Sequence, residues 1–147
     1  MGVYENFFSP FSVLFLSLNA YAAGSDDDNT VVKPRAYKKA VKLIKKENYS
    51  EAVKLLEEIL QKNKYQQDPD ILNEYAFALR KSGDLSNAEI NYNKALKIDP
   101  NHKGALEYLG ELYVDTKRKD KANLILVKLE NCKCEEYSEL KSYIANN

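Results

Sequence analysis

The chain has 147 residues, and its 22 Lys and Arg are balanced by 22 Asp and Glu. Zero net charge excludes a nucleic-acid binder that works through bulk positive charge, and 44% apolar residues exclude a disordered chain. One His and two Cys exclude a zinc site built from those residues alone, while five Gly and four Pro leave few breaks in a helix-favouring sequence.

The first element is an apolar run over residues 7–18, uncharged and too short to cross a bilayer comfortably as a helix. Ala20-Tyr21-Ala22 follows, the A-x-A pattern read by signal peptidase. A cleaved signal over residues 1–22 is expected, with the cut between Ala22 and Ala23, and residues 23–33 become a solvated acidic leader around Ser25-Asp26-Asp27-Asp28-Asn29. The start carries Glu5 and no Lys or Arg, whereas a signal ordinarily begins basic. The alternatives are a retained anchor or an apolar helix packed on the domain. No Cys follows the run, which argues against a lipoprotein anchor. Export to the periplasm of a Gram-negative bacterium, or secretion, is the expected address.

The rest of the chain repeats. Leu72, Ala76, Leu79, Ala88 and Tyr92 align with Leu106, Gly110, Tyr113, Ala122 and Leu126 at a constant offset of 34. Ala40, Leu43, Ala52 and Leu56 align with Ala76, Leu79, Ala88 and Tyr92 at an offset of 36. The loop over residues 62–68 is expected to absorb the two additional residues. The units are 34–67, 68–101 and 102–134, and each reads as two helices. In the middle unit Asp68 can cap and Pro69 can open a helix running to about Lys81. Gly83-Asp84 makes the turn, with Asp84 or Ser86 as the next cap, and the second helix stops near Ile98, before Asp99-Pro100. In the first unit Asn48-Tyr49 marks the turn, with Asn48 taking the left-handed conformation that Gly usually supplies. Glu135 and Glu136 suit a helix N-terminus, and Tyr137, Leu140 and Ile144 or Tyr143 then form one apolar stripe of a solvating helix in the cap, residues 135–147.

These positions resemble the tetratricopeptide repeat family. The likeness is carried by Leu72, Tyr75, Ala76, Leu79, Gly83, Ala88, Tyr92, Ala95 and Pro100 in the middle unit, and by Leu106, Leu109, Gly110, Tyr113, Ala122 and Leu126 in the third. The first unit is degenerate, with Lys39 and Lys64 where an apolar residue and Pro are expected, and the third has Lys117 where the turn prefers Gly. The resemblance implies an all-α, right-handed superhelix of three helix-turn-helix repeats plus a C-terminal capping helix. Ala or Gly at 40, 76 and 110, and Ala at 52, 88 and 122, fall where paired helices cross, and small side chains let the axes approach to about 8–10 Å.

The family's register also implies which residues line the concave face. They are Tyr37, Lys38, Val41 and Lys45 in the first unit, Asn73, Glu74, Phe77 and Arg80 in the second, and Glu107, Tyr108 and Glu111 in the third. Lys38, Lys45 and Arg80 are expected toward one end, and Glu107 and Glu111 toward the other. A protein or peptide segment with mixed charge and an apolar anchor suits such a groove. Relatives that hold a chaperone's carboxyl terminus use a Lys/Asn/Lys/Arg clamp; here only Asn73 lies near such a pattern, and Glu107 and Glu111 repel a carboxylate.

Cys132-Lys133-Cys134 lies between the last repeat helix and the cap. Oxidising surroundings allow a disulfide, although a two-residue separation closes a tight ring. Exported bacterial members of the family that this chain resembles show a Cys pair before a Glu-Glu-Tyr cap, at wider spacing. A structural bridge, free or intermolecular thiols, and a redox role all stay open. His102, at the junction of two units, is expected to be solvent-exposed, and no fourth ligand joins it and the cysteines to hold a metal. No hydrolase constellation or phosphate loop is present. The expectation is a non-catalytic interaction module without a cofactor, binding no nucleic acid and touching no membrane beyond its export signal. The competing readings are a thiol–disulfide partner using Cys132 and Cys134, and a self-associating structural protein.

Overall fold

The computed structural model describes residues 32–147; the expected signal, its cleavage point and most of the acidic leader lie outside the described residues. Seven helices follow in order: α1 (Arg35–Lys45), α2 (Tyr49–Leu60), α3 (Pro69–Lys81), α4 (Leu85–Ile98), α5 (Lys103–Asp115), α6 (Lys119–Leu129) and α7 (Glu135–Asn146). Among the described residues there is no strand. Each helix packs on the one before it, and α7 packs on both α5 and α6. The result is an all-α superhelical stack of three hairpins with α7 laid over the last.

The small residues sit where the repeat predicts. Ala40 and Ala76, and Ala52, Ala88 and Ala122, are fully buried, and Gly110 is buried at the matching place in α5. Large residues fill the space beside them, among them Leu56, Tyr92 and Leu109. Two clusters result, and α3 is common to both. It turns Leu72, Ala76 and Leu79 toward the larger cluster, and Ile71 and Ala78 toward the one around α1 and α2. Val53, Leu60 and Tyr75 touch both, so the core is continuous along the stack.

The helix ends explain the turns. Asp68 accepts hydrogen bonds from the backbone N–H groups of Asp70 and Ile71 at 3.0 and 3.1 Å, with Pro69 at the first helical position. Asp84, rather than Ser86, caps α4 through the Asn87 N–H at 3.1 Å. Each hairpin then closes with the same motif. The amide of Asn48 donates to Leu43 O at 2.9 Å, that of Asp84 to Leu79 O at 2.9 Å, and that of Arg118 to Tyr113 O at 2.7 Å. These are the six-to-one bonds of a Schellman turn, which needs a left-handed residue just before the donor. That residue is Glu47 (φ 58°), Gly83 (φ 93°) and Lys117 (φ 61°) in the three units. Asn48 was the expected left-handed position, but its φ is −85° and it begins α2 instead. The turn geometry selects the residue one earlier, whatever its identity.

Two further features differ from expectation, and the state of the cysteine pair, which the sequence leaves open, is observed. The loop over residues 62–68 is not a passive spacer: a short 3-10 turn, Asn63–Tyr65, plants the Tyr65 ring in the core at 4% exposure. His102 is half-buried, not solvent-exposed. Its Nδ1 accepts from the Ala105 N–H at 3.1 Å, so Nε2 carries the proton and donates to Asp70 at 2.9 Å. His102 thus caps α5 and ties it to α3. Cys132 and Cys134 are joined in a disulfide, with Lys133 left-handed between them and both sulfurs against the core.

Candidate functional site

Along the stack, α1, α3 and α5 run side by side, and α7 takes the next place in the row. Residues at three- and four-residue spacing on these helices share the face away from α2, α4 and α6. Its centre is aromatic. Phe77 of α3 lies 4.8 Å from Tyr108 of α5, ring centre to ring centre, and 6.3 Å from Tyr49 at the start of α2. Tyr92 of α4, fully buried, backs Tyr108 at 6.4 Å. Lys81 stands 6.0 Å from both the Tyr49 and Phe77 rings. Phe77 and Tyr108 remain half-exposed, which is the condition for offering a stacking surface.

At the α1 end, Lys38 and Lys45 are exposed, and Tyr37 and Val41 are half-buried. Burial and the nearby Glu74 and Asp70 push the Tyr37 hydroxyl well above the ordinary tyrosine range. Burial also raises the Glu74 carboxyl, and Asp70 adds to the effect. Asn73 does not line an open surface: it is 5% exposed, and its Oδ1 finds no hydrogen-bond partner among the described residues.

Arg80 overturns the expected division of charge. It does not join Lys38 and Lys45 in a basic end. Its guanidinium is buried and faces the acids of α5, with Nη1 2.5 Å from Glu111 and Nη2 2.7 Å from Asp115. Nε donates to Asp115 as well, at 2.9 Å, and Nη2 approaches the Tyr143 hydroxyl of α7 at 3.3 Å. Tyr143 in turn donates to Asp115 at 2.6 Å. Glu111 is therefore paired inside the fold, and one guanidinium joins α3, α5 and α7.

Glu107 is the opposite case. It is 4% exposed, and its neighbours are other acids. Burial first, then a hydrogen bond to Glu139 of α7 and the charges of Glu139, Glu111 and Glu136, push its carboxyl up to about 9. With no cation between them among the described residues, Glu107 and Glu139 favour holding a proton over standing as two bare charges. Burial and the same acids push the Tyr108 hydroxyl up to about 12. Between α3, α5 and α7 lies an open hollow of about 720 Å³, walled by Phe77, Tyr108 and Tyr143 and by Glu107, Glu111 and Glu139.

Tyr49, Asp115, Glu139 and Tyr143 were not anticipated at this face. The family's register assigns concave positions only to the first helix of each unit. Tyr49 opens a second helix, and its counterparts at the repeat spacing, Leu85 and Lys119, are not aromatic. Outside the groove, Ile90, Leu124 and Val127 are exposed on α4 and α6. Among the described residues, no helix is long and apolar enough to cross a membrane, and no group of three or more His, Cys, Asp or Glu is placed to hold a metal.

A family described as tetratricopeptide repeat matches residues 19–146. No curated protein matches the chain. The fold resembles that of the Yersinia enterocolitica type III secretion chaperone SycD, solved in complex with a peptide of the translocator YopD, with a TM-score of 0.64 at 15% identity over 76% of this chain and 85% of that one. It also resembles a chain of the CopN–Scc3 complex, with a TM-score of 0.61 at 17% identity over 76% of this chain and 65% of that one. At such identities the likeness is one of fold.

Proposed function

Because the chain belongs to the tetratricopeptide repeat family, we propose that it is a protein-interaction module that grips a segment of a partner protein in its concave groove. The observation that carries this reading is the row Tyr49–Phe77–Tyr108, aromatic area left half-exposed on the inner face and held firmly from behind by Tyr92. Aromatic anchors in a recess supply much of the binding energy of protein interfaces. SycD, which shares the fold, is seen with a peptide of YopD, and the use proposed here is of the same kind. The work is binding, with no chemical step. Residues Tyr37, Lys38, Val41 and Lys45 extend the surface toward α1, while Asn73 and Arg80 support it from within.

Crosslinking in the native cell tests this. A photoreactive residue at position 77 should trap a partner, and one at Leu124, on the outer helix α6, should not. Capture at 124 with none at 77 overturns the groove assignment. We also propose export to the periplasm or beyond, on the sequence of residues 7–22 alone. N-terminal sequencing of the mature protein should begin at Ala23; a mature chain that begins at Met1 removes this part of the reading.

A further inference from the structure

Resting on the groove reading above, we infer that the partner segment carries a Lys or Arg side chain, received in the hollow between α3, α5 and α7. The shape of the hollow and its charge point the same way. Four carboxyl groups line it, those of Glu107, Glu111, Glu135 and Glu139, and among the described residues no Lys or Arg does. Arg80 is shared between Glu111 and Asp115, which leaves Glu107 and Glu139 facing each other without a cation among the described residues. Glu107 is the telling member. It is 4% exposed yet lines the hollow, and a carboxylate so deeply placed is ordinarily paired. Here the charges that act on it are those of Glu111 on its own helix and of Glu136 and Glu139 on α7. In the free protein a proton shared with Glu139 relieves the repulsion. A basic side chain displaces that proton and supplies the missing charge, and the proton leaves to solvent.

The aromatic walls fit the same visitor. A Lys or Arg has an apolar stem of several carbons before its charged head. Phe77 and Tyr108, packed on each other at 4.8 Å, line the same hollow as Glu107 and Glu139, so apolar contact for the stem and carboxyl groups for the head are offered side by side. A guanidinium can meet both carboxylates at once, which makes Arg the stronger occupant. Residues 1–31 of this chain contain acids and no Lys, Arg or His, so that segment has no basic side chain to offer. The occupant we infer is therefore a basic segment of a different protein, and a protein that sediments as a monomer at all concentrations separates it from a second copy of this chain.

The test is selection of phage-displayed random heptapeptides on the full-length protein, followed by anisotropy with the selected peptides as labelled probes. Selected sequences should be enriched in Arg and Lys and depleted of Asp and Glu. Glu139→Lys, a reversal on the exposed surface of α7, should weaken their binding about tenfold, as should Phe77→Ser. Circular dichroism melting establishes that both variants are folded; if Glu139→Lys is not, Glu139→Gln takes its place with a smaller expected loss. Peptides without a basic preference, binding indifferent to residue 139, or no selected binder at all overturn the inference. The groove reading fails separately. If binding is lost in Phe77→Ser but unchanged in Glu139→Lys, the groove stands and the basic partner does not; if Phe77→Ser has no effect, the groove itself is wrong.

Discussion

Leu140 of α7 occupies the space that a side chain at Gly110 of α5 would need: a Cβ there would stand 2.6 Å from both Leu140 methyl carbons and 3.2 Å from Cγ. Gly110 holds the position that Ala40 and Ala76 hold in the earlier units, and it is the smallest of the three because α7 lies closest. Leu140 is fully buried, so it has little room to turn away.

Gly110→Ala should therefore destabilise the protein. Overpacking costs about 1–3 kcal/mol, and the better helix propensity of Ala returns about 1 kcal/mol. A cycle with Leu140→Ala, followed by urea denaturation, should show that the cost of Ala at 110 disappears when residue 140 is small. Equal costs in both backgrounds would disprove the contact.

Lys117→Gly should stabilise. Lys117 holds φ at 61°, where a side chain costs about 1–2 kcal/mol, and Gly takes the same turn with only its larger unfolded-state entropy to set against that. The net gain should be about 0.5–1 kcal/mol by chemical denaturation. Gly83→Ala, at the equivalent turn with φ 93°, should move the other way.

Arg80→Met should cost about 2 kcal/mol, below the figure for a fully buried pair because Glu111 and Asp115 can partly rehydrate once the guanidinium is gone. Arg80→Lys should recover only part of the loss, since one ammonium cannot reproduce the fork that meets two carboxylates. Thermal melts of the two variants side by side check the order; a Lys variant as stable as wild type would show that charge alone matters.

Glu107 makes stability depend on pH. Its carboxyl is raised from the usual 4.5 to about 9 in the folded protein, through burial and the facing acids Glu139, Glu111 and Glu136. The unfolded chain gives up that proton first, so the stability tied to it is complete below about 4.5 and is lost as pH rises toward about 9. Melting temperature should fall across that window, and Glu107→Gln should flatten the slope. If the two profiles have the same slope, Glu107 is not the group responsible. The same proton bears on binding: the affinity of a basic peptide should increase from pH 6 toward pH 8, because the carboxylate form is the one that pairs.

The helices were legible because their causes are local. Asp68, Pro69, Asp84 and the Asp99-Pro100 stop define α3 and α4 through groups a few residues apart, and Ala40, Ala76 and Ala88 mark crossings through a repeated period. What escaped reading depends on distance along the chain. Arg80 meets Asp115 and Tyr143 across 35 and 63 residues, and no periodic signal records such a pairing. Burial of Arg80 and Asn73 was hidden for the same reason, since α7 and the neighbouring helices decide it. The left-handed turn was misplaced by one residue because residue type suggested Asn48, whereas the closing amide from Asn48 to Leu43 requires the twist at Glu47.

The guanidinium of Arg80 has a mechanical consequence. Bonded at once to the third and fifth helices and to the seventh, it acts as a rivet that sets the spacing of the groove walls before anything arrives. On the proposed groove reading, a segment that enters gives up its own freedom but does not have to organise its host, so more of the contact energy would be kept as affinity. On the same reading, a segment too bulky for that spacing would first have to break the rivet, a cost that selects on size.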